Sequence, residues 1–191
     1  MPRRSTMTEH GELVVRRATP EDLEAILVAF ARLRRAGSQL PSDEQDQLVA
    51  CDHCRCAVVA TMDGAVVGYG RWVRATASSP RADMAVAVAE AWEQRGIGTA
   101  VLTQLRIEAR RRGVTCLEVR MARTPDVVRD IARHPAQGRF DDSAIVLSLR
   151  VNELLPGQER DAMRWAALGH GLLIGPVVGQ RARRPGPTVP A

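Results

Sequence analysis

Apolar positions along the chain switch between two periods. Leu13, Val14 and Val15 form a short run that predicts a first strand. Leu23, Ile26, Leu27, Phe30 and Leu33 then recur at helical spacing and mark one buried face. Thr19, Pro20, Glu21 and Asp22 supply the start of that helix: a capping residue, Pro at the first helical position, and acids in the first turn. Gly37 ends it. Ser42 to Gln45 fits a capping box ahead of Leu48 and Val49 and predicts a second helix.

The period then shortens. Cys56 to Met62 and Ala65 to Val73 are β-rich runs split by Asp63 and Gly64, a pair that favours a two-residue hairpin. Ala82 to Ala89 is nearly all small and apolar, as a strand buried on both faces requires. A helix follows from Ile97 to Arg112, with Ile97, Val101, Leu105 and Ala109 on its core side and Gly113 as its stop. Leu117, Val119 and Met121 alternate as a strand. Thr124, Pro125 and Asp126 open a short helix carrying Val127, Val128 and Ile131, and Ile145, Leu147, Leu149 and Val151 alternate on a last strand. The polar residues 1–11 read as loose chain. Residues 156–191, rich in Gly, Pro and Arg, read as a tail with one helical stretch at Asp161 to Leu168. The order β-α-α-β-β-β-α-β-α-β predicts one α/β domain over residues 12–155, a mixed central sheet with helices on both faces.

Composition narrows the function classes. The chain has 191 residues, 45% of them hydrophobic but only 3% aromatic, so its core is aliphatic and must fill space by interdigitation. The net charge of +5 comes entirely from Arg, with no Lys. Arg3, Arg4, Arg181, Arg183 and Arg184 crowd the ends, and aromatic residues interleaved with Arg, as base-stacking surfaces need, are missing. Nucleic acid is therefore not the expected partner. Residues 1–20 lack an apolar signal core, and the apolar stretch Leu168 to Val178 is short and broken by His170, Gly175 and Pro176. No membrane role is expected. Cys51, Cys54, Cys56 and Cys116 accordingly read as reduced thiols of a cytoplasmic protein.

The candidate chemistry starts at Gln94, Arg95, Gly96, Ile97, Gly98 and Thr99, between a strand and a helix. The glycines allow close backbone approach, and a helix start offers unpaired N–H groups and a favourable dipole to an anion. Hydrogen bonds to a charged acceptor contribute about 1.5–3 kcal/mol each, so a few amides hold a pyrophosphate without a dedicated cation. A P-loop would need Gly-Lys-Ser/Thr, which is absent. A dinucleotide fingerprint would need Gly or Ala where Val101 stands and its first glycine directly after the strand, although Glu118 lies near the spacing of a ribose-binding acid.

The stretch Val86 to Leu102 resembles the acetyl-coenzyme A (acetyl-CoA) motif of the GNAT N-acetyltransferase superfamily. The likeness runs on through Ala109 to Gly113 and Leu117 to Met121. Asp52-His53, Cys56 to Ala60, Asp63-Gly64, Val67-Gly68 and Ala82 to Ala85 are similar to the acetyltransferase domain of bacterial protein-lysine acetyltransferases. The resemblance covers residues 12–151. It implies a GNAT fold in which the strand ending at Val88 splays from its neighbour. Val86, Ala87 and Val88 would pair with the pantetheine amides, and Gln94 to Thr99 would hold the pyrophosphate. It also implies direct acetyl transfer from acetyl-CoA, the acyl donor, to a primary amine on a small molecule or a protein lysine. Three positions depart from the family pattern: Glu93 replaces Gln or Arg, residues 123–126 lack the usual Asn, and the only tyrosine, Tyr69, lies in the hairpin. These departures keep a second reading open, a non-catalytic CoA-binding regulatory module.

Transfer to an amine needs its neutral form, and for a Lys-like amine deprotonation at pH 7 costs roughly 4–5 kcal/mol. A carboxylate acting directly or through one water is the usual base. Asp83 is the first candidate, an acid on a small apolar strand where the lysine-acetylating relatives carry a catalytic Glu; the alternative is that it marks the exposed strand start. Glu90 is second and Glu118 third. Cys51, His53, Cys54 and Cys56 are too compact for paired zinc ligands and read as a turn, with Cys56 pointing into the sheet; no metal is expected. Tail residues 156–191 are either disordered or a docking segment on a neighbouring subunit of a candidate homodimer.

Overall fold

The structure, a computed structural model, describes residues 4–8, 11–30, 42–122, 138–140 and 144–151. Strands β1 (Arg4–Thr8), β2 (Gly11–Arg17), β3 (Arg55–Met62), β4 (Ala65–Val73) and β5 (Arg81–Val88) follow one another antiparallel. β6 (Cys116–Ala122) joins β5 in parallel, and β7 (Gly138–Phe140) and β8 (Ala144–Arg150) finish the sheet in the order β1-β2-β3-β4-β5-β6-β8-β7. Helix α1 (Leu23–Ala29) follows a 3-10 turn at Pro20–Asp22, α2 (Ser42–Val49) precedes β3, and α3 (Ile97–Arg111) links β5 to β6.

The sheet is buried on both faces, by different helices. Ile97, Val101, Leu102, Leu105 and Ala109 of α3 pack against Val58, Trp72, Met84, Val86 and Leu117. Ile26, Phe30 and Val49 of α1, its C-cap and α2 cover Ala57, Val59, Tyr69 and Ala87 on the other side. The helical spacing read from Ile97 to Ala109 is thus the spacing that fills the core, with all four residues at most 1% exposed. Local chemistry is met too. Asp63 (φ 49°) and Gly64 (φ 85°) both take positive φ, as a tight hairpin turn between β3 and β4 demands. Asp22 accepts from the Thr19 N–H at 2.8 Å and from both terminal nitrogens of Arg16 at 2.6 and 2.7 Å, tying the helix start to the end of β2.

Two features differ from the expectation. Residues 4–8, read as loose chain, form β1 on the edge of β2. An edge strand needs only backbone pairing, so its polar sequence carries no hydrophobic alternation to read. β7 escapes for a similar reason, being three residues long. The helix expected from Thr124, the one at Asp161 to Leu168, the end of the first helix at Leu33 and Gly37, and the tail lie outside the described residues.

Beneath α3, Gly68 and Gly70 leave β4 without side chains at two positions. A Cβ at Gly68 would lie 2.8 Å from Ile97 Cγ2, and one at Gly70 would lie 2.6 Å from Val101 Cγ1 and 2.7 Å from a Leu105 methyl. Val101 and Leu105 are fully buried, so they have no solvent into which to move. Gly70→Ala should therefore overpack the α3 seat and destabilise the protein by about 1–3 kcal/mol in urea unfolding. A change within about 0.5 kcal/mol, the range of ordinary surface substitutions, would show that α3 lifts freely and that its height is not set here.

Candidate coenzyme fork and acceptor face

β5 and β6 pair at only three positions, Arg81, Ala82 and Asp83 against Cys116, Leu117 and Glu118. Beyond them β5 continues its ladder with β4 as far as Val88, and β6 continues with β8 as far as Ala122. The sheet stays whole on either side and opens between the two parallel strands. This is a fork with its vertex at Asp83 and Glu118.

The phase of the β4–β5 ladder says which backbone groups face the opening. The Ala89 N–H donates to the Val67 carbonyl at 2.9 Å. Antiparallel alternation then directs the amides of Ala87 and Ala85 to β4 and those of Val88 and Val86 into the fork, while the Met84 amide faces β6 on the last paired rung. Of the three strand residues expected to meet the coenzyme, Val86 and Val88 offer backbone N–H and C=O groups to an extended amide-bearing ligand. Ala87 does not; its backbone serves the ladder and its side chain is buried toward α1. A ligand lying along Val86–Val88 would add itself to the open strand edge.

The mouth of the fork is the segment from Glu90 to Thr99. A 3-10 turn at Glu90–Trp92 leads to Gln94 (φ 61°) and Gly96 (φ 76°), both in the left-handed region. For the non-glycine Gln94 this costs roughly 1–2 kcal/mol. The first intrahelical bond of α3 runs from the Ala100 N–H to the Gly96 carbonyl at 3.0 Å. The amides of Ile97, Gly98 and Thr99 precede it and stand free on the helix for an anion. Arg95 is exposed and stacks over the Trp92 ring at 5.0 Å, which holds a cation beside the loop. Glu93, on the opposite side of Gln94 in sequence, is also exposed.

The carboxylates separate. Ala82, Met84, Val86, Leu117 and Val119 face α3, so Asp83 and Glu118 share the other face, side by side on the last paired rung. Glu118 is buried and accepts a hydrogen bond from Arg81 Nη1 at 2.6 Å. Asp83 is half-buried. Glu90 is exposed at the mouth, beyond a strand run from Asp83 to Val88 of roughly 17 Å. The structure brings Asp83 together with Glu118, not with Glu90. Tyr69 is removed from any acid role at the fork. It is fully buried, its hydroxyl donates to the Leu48 carbonyl at 2.7 Å, and burial pushes its pKa up to about 12 against the opposing influence of Arg71.

The cysteine turn departs from the reduced, open turn expected. Cys56 is buried in the sheet, as its position implied, but it is joined to Cys51 by a disulfide. The turn between them folds back on the Asp52 side chain, whose Oδ1 accepts from the Cys54 and Arg55 amides at 2.6 and 3.0 Å. Sequence spacing does not show such a closure. Glu108 lies near both sulfurs, the one group among the described residues that resembles a metal cluster. Its oxygens already accept from Arg17 (2.8 Å), Arg112 (2.7 Å), Arg111 (3.1 Å) and Gln104 (3.2 Å). Three guanidiniums supply the charge that a cation would bring.

A parallel pair that opens into a fork, with a helix start at its mouth, is an α/β arrangement that could receive an extended, amide-bearing ligand. Residues 22–129 match the model of the acetyltransferase (GNAT) family, and the chain belongs to that family. Family membership implies transfer of an acetyl group from acetyl-CoA. The GNAT domain of S. lividans PAT is similar at 18% identity, with a TM-score of 0.62 over 78% of this chain and 96% of that one. A cAMP-binding acyltransferase from Mycobacterium smegmatis is similar at 18% identity (TM-score 0.54), over 88% of this chain and 56% of that one. YncA from Salmonella typhimurium, solved with its cofactor acetyl-CoA, is similar at 19% identity (TM-score 0.51), over 74% of this chain and 95% of that one. At these identities the likeness shows the fold. No curated protein sequence matches the chain. No helix among the described residues is long and apolar enough to cross a membrane.

Glu108 gives the site's scaffold a pH dependence. Burial alone would raise its pKa, but hydrogen bonds from Arg17 and Arg112 outweigh burial and hold it below the ordinary carboxylate value. A carboxylate depressed in the folded state contributes stability above its unfolded value and loses it as pH falls through the folded value. Asp22, held low by Arg16 and Thr19 against its burial, acts in the same sense. Unfolding stability should therefore drop from about pH 5 toward pH 3. In Glu108→Gln that acid limb should be shallower; an unchanged slope would remove Glu108 from the account.

Proposed function

We propose that the protein is an acetyl-CoA-dependent N-acetyltransferase that moves the acetyl group directly to a primary amine, with Asp83 as general base. The observation that carries this reading is the position of Asp83 at the vertex of the fork, on the face that α3 does not cover. The pyrophosphate would rest on the amides of Gly96 to Thr99 at the mouth, with Gln94 and Arg95 at the rim. The pantetheine arm would run inward along Val88 and Val86, which brings the thioester toward Asp83. The acceptor would enter from the α1 and α2 side. Asp83 would take a proton from the attacking nitrogen directly or through a water, the C–S bond would break, and the departing thiolate would be protonated from solvent.

Glu90 is a poorer base on this geometry, being exposed at the mouth. Glu118 is already engaged by Arg81. With its charge balanced by Arg81, Glu118 leaves Asp83 to carry the negative charge beside a cationic acceptor. A protein lysine fits that acidic face and the resemblance to the lysine-acetylating domains; a small-molecule amine fits it equally. We place the enzyme in the cytoplasm, as a candidate homodimer. The second reading, a non-catalytic coenzyme-binding module, draws on the burial of Tyr69, which leaves the fork without a tyrosine acid.

Two measurements separate these readings. Acetyl-CoA should raise the melting temperature, because a ligand at 100 times its dissociation constant adds about 2.7 kcal/mol; no shift would count against both. Acetyl-CoA consumption should then appear against a panel of amines that includes lysine peptides. Asp83→Asn should lower kcat by roughly 10²–10⁴-fold while leaving the thermal shift intact, the range for loss of a general base. Binding without turnover on any amine would favour the module. Full turnover in Asp83→Asn would sink the base assignment and leave the transferase standing.

A further inference from the structure

The turn from Cys51 to Cys56 is held by partners that do not depend on the sulfurs. Its four inner carbonyls are all satisfied. Asp52 O accepts from Arg112 Nε at 2.9 Å, His53 O from Arg74 Nε at 2.7 Å, Cys54 O from the Arg74 amide at 2.8 Å, and Arg55 O from the Asp52 amide at 2.9 Å. This frame sets the two cysteine Cα atoms 4.0 Å apart, slightly closer than the roughly 4.4–6.8 Å usual for a disulfide. The thiols are therefore neighbours whether or not they are bonded.

The two sulfurs have unequal surroundings. Cys56 is completely buried beside Trp72, whereas Cys51 is partly exposed. Arg112 Nη2 lies 3.1 Å from Cys51 Sγ. That guanidinium is fixed by its bonds to Asp52 O, Glu108 O and Glu108 Oε2, and it stands 5.9 Å from the Trp72 ring centre. Glu108 is the only carboxylate near both sulfurs among the described residues, and Arg17, Arg111 and Arg112 surround it. The local balance is cationic. A fixed cation at hydrogen-bond distance favours the thiolate, the reactive form of cysteine.

We propose that Cys51 and Cys56 are a reversible dithiol–disulfide pair, a redox modification site in which the accessible Cys51 reacts first and the buried Cys56 resolves. The co-reactant is a low-molecular-weight disulfide. The Cys51 thiolate attacks one of its sulfurs, forming a mixed disulfide and releasing one small thiolate. The Cys56 thiolate then attacks the Cys51 sulfur, forming the internal bond and releasing the second. Two protein thiols lose their protons and two electrons; the small disulfide gains both and leaves as two thiols. Cys54 and Cys116 have no such partner sulfur and stay reduced.

The test titrates the purified full-length protein against glutathione and glutathione disulfide at graded ratios, followed by quenching, iodoacetamide alkylation and peptide mass mapping. The expected product at oxidising ratios is a Cys51–Cys56 disulfide that reverts at reducing ratios, with Cys54 and Cys116 alkylated throughout. Closing so short a loop should raise the melting temperature by roughly 4–9 °C. Both thiols alkylated at every ratio would overturn the proposal, as would a bond that survives every reducing ratio, pairing through Cys54, or zinc retained in the reduced protein. The role of Arg112 is read in a Cys56→Ser background by the rate of Cys51 alkylation at neutral pH. Arg112→Gln should slow it on the order of tenfold and Arg112→Lys should restore most of it. Equal rates in all three would remove Arg112 from the mechanism. Should Arg112→Gln fail to fold, the ratio titration of the unsubstituted protein still decides the proposal.

Discussion

The ligand-binding geometry depends on one interruption of a hydrogen-bond ladder. β5 and β6 stop pairing after Asp83 and Glu118, while each keeps its other neighbour. An open strand edge in the middle of a sheet leaves backbone amides without partners, which is costly unless water or a ligand takes them. On the proposed reading, the coenzyme completes the ladder along Val86 and Val88. On that reading, the vertex sets where the reacting end of the coenzyme stops. The two carboxylates of the last rung stand there and not elsewhere on the sheet.

Depth is the second requirement. An anion loop is useful to the fork only if α3 starts close to the plane of the sheet. Gly68 and Gly70 permit that, since a methyl on either would meet buried atoms of Ile97, Val101 or Leu105. Small residues on β4 and a branched aliphatic stripe on α3 are therefore one device. They also explain how a core with so few aromatics reaches close packing: Trp72 and Tyr69 fill opposite faces, and aliphatic side chains interlock between them.

Much of this was legible because the physics is local. The Asp63-Gly64 turn, the Thr19 helix start, the stripe from Ile97 to Ala109 and the glycine loop each declare themselves within a few residues. The family resemblance supplied the splay, which no local pattern encodes. What stayed hidden involves partners distant in sequence. Gly68 and Gly70 look like weak strand residues until α3 is laid over them. The nearness of Glu118 to Asp83 follows from parallel register across 35 residues. The edge strand β1 carries no alternation, and the closure of Cys51 on Cys56 rests on arginines at 74 and 112. Alternation also separates residues that a span of numbers joins: the amides of Val86 and Val88 face the fork and that of Ala87 faces β4.

α3 joins the two ends of the story. Its N-terminus presents free amides to an anion, and its C-terminal turn carries Arg110 and Arg111 where the helix dipole favours cations. Arg112, at the cap, bonds at once to the helix carbonyl of Glu108, to the Asp52 carbonyl and to the Cys51 sulfur. A 15-residue helix is roughly 22 Å long, so the cysteine pair is far from the anion loop. Coupling between them would require α3 to slide along its axis. Val101 and Leu105 are keyed against Gly70 and oppose such a slide. A change of bonding at Cys51 should consequently alter how firmly the β3 entry turn is held more than how tightly the loop grips a phosphate. The same close seat that would give the fork its depth also opposes transmission from the far end of the helix.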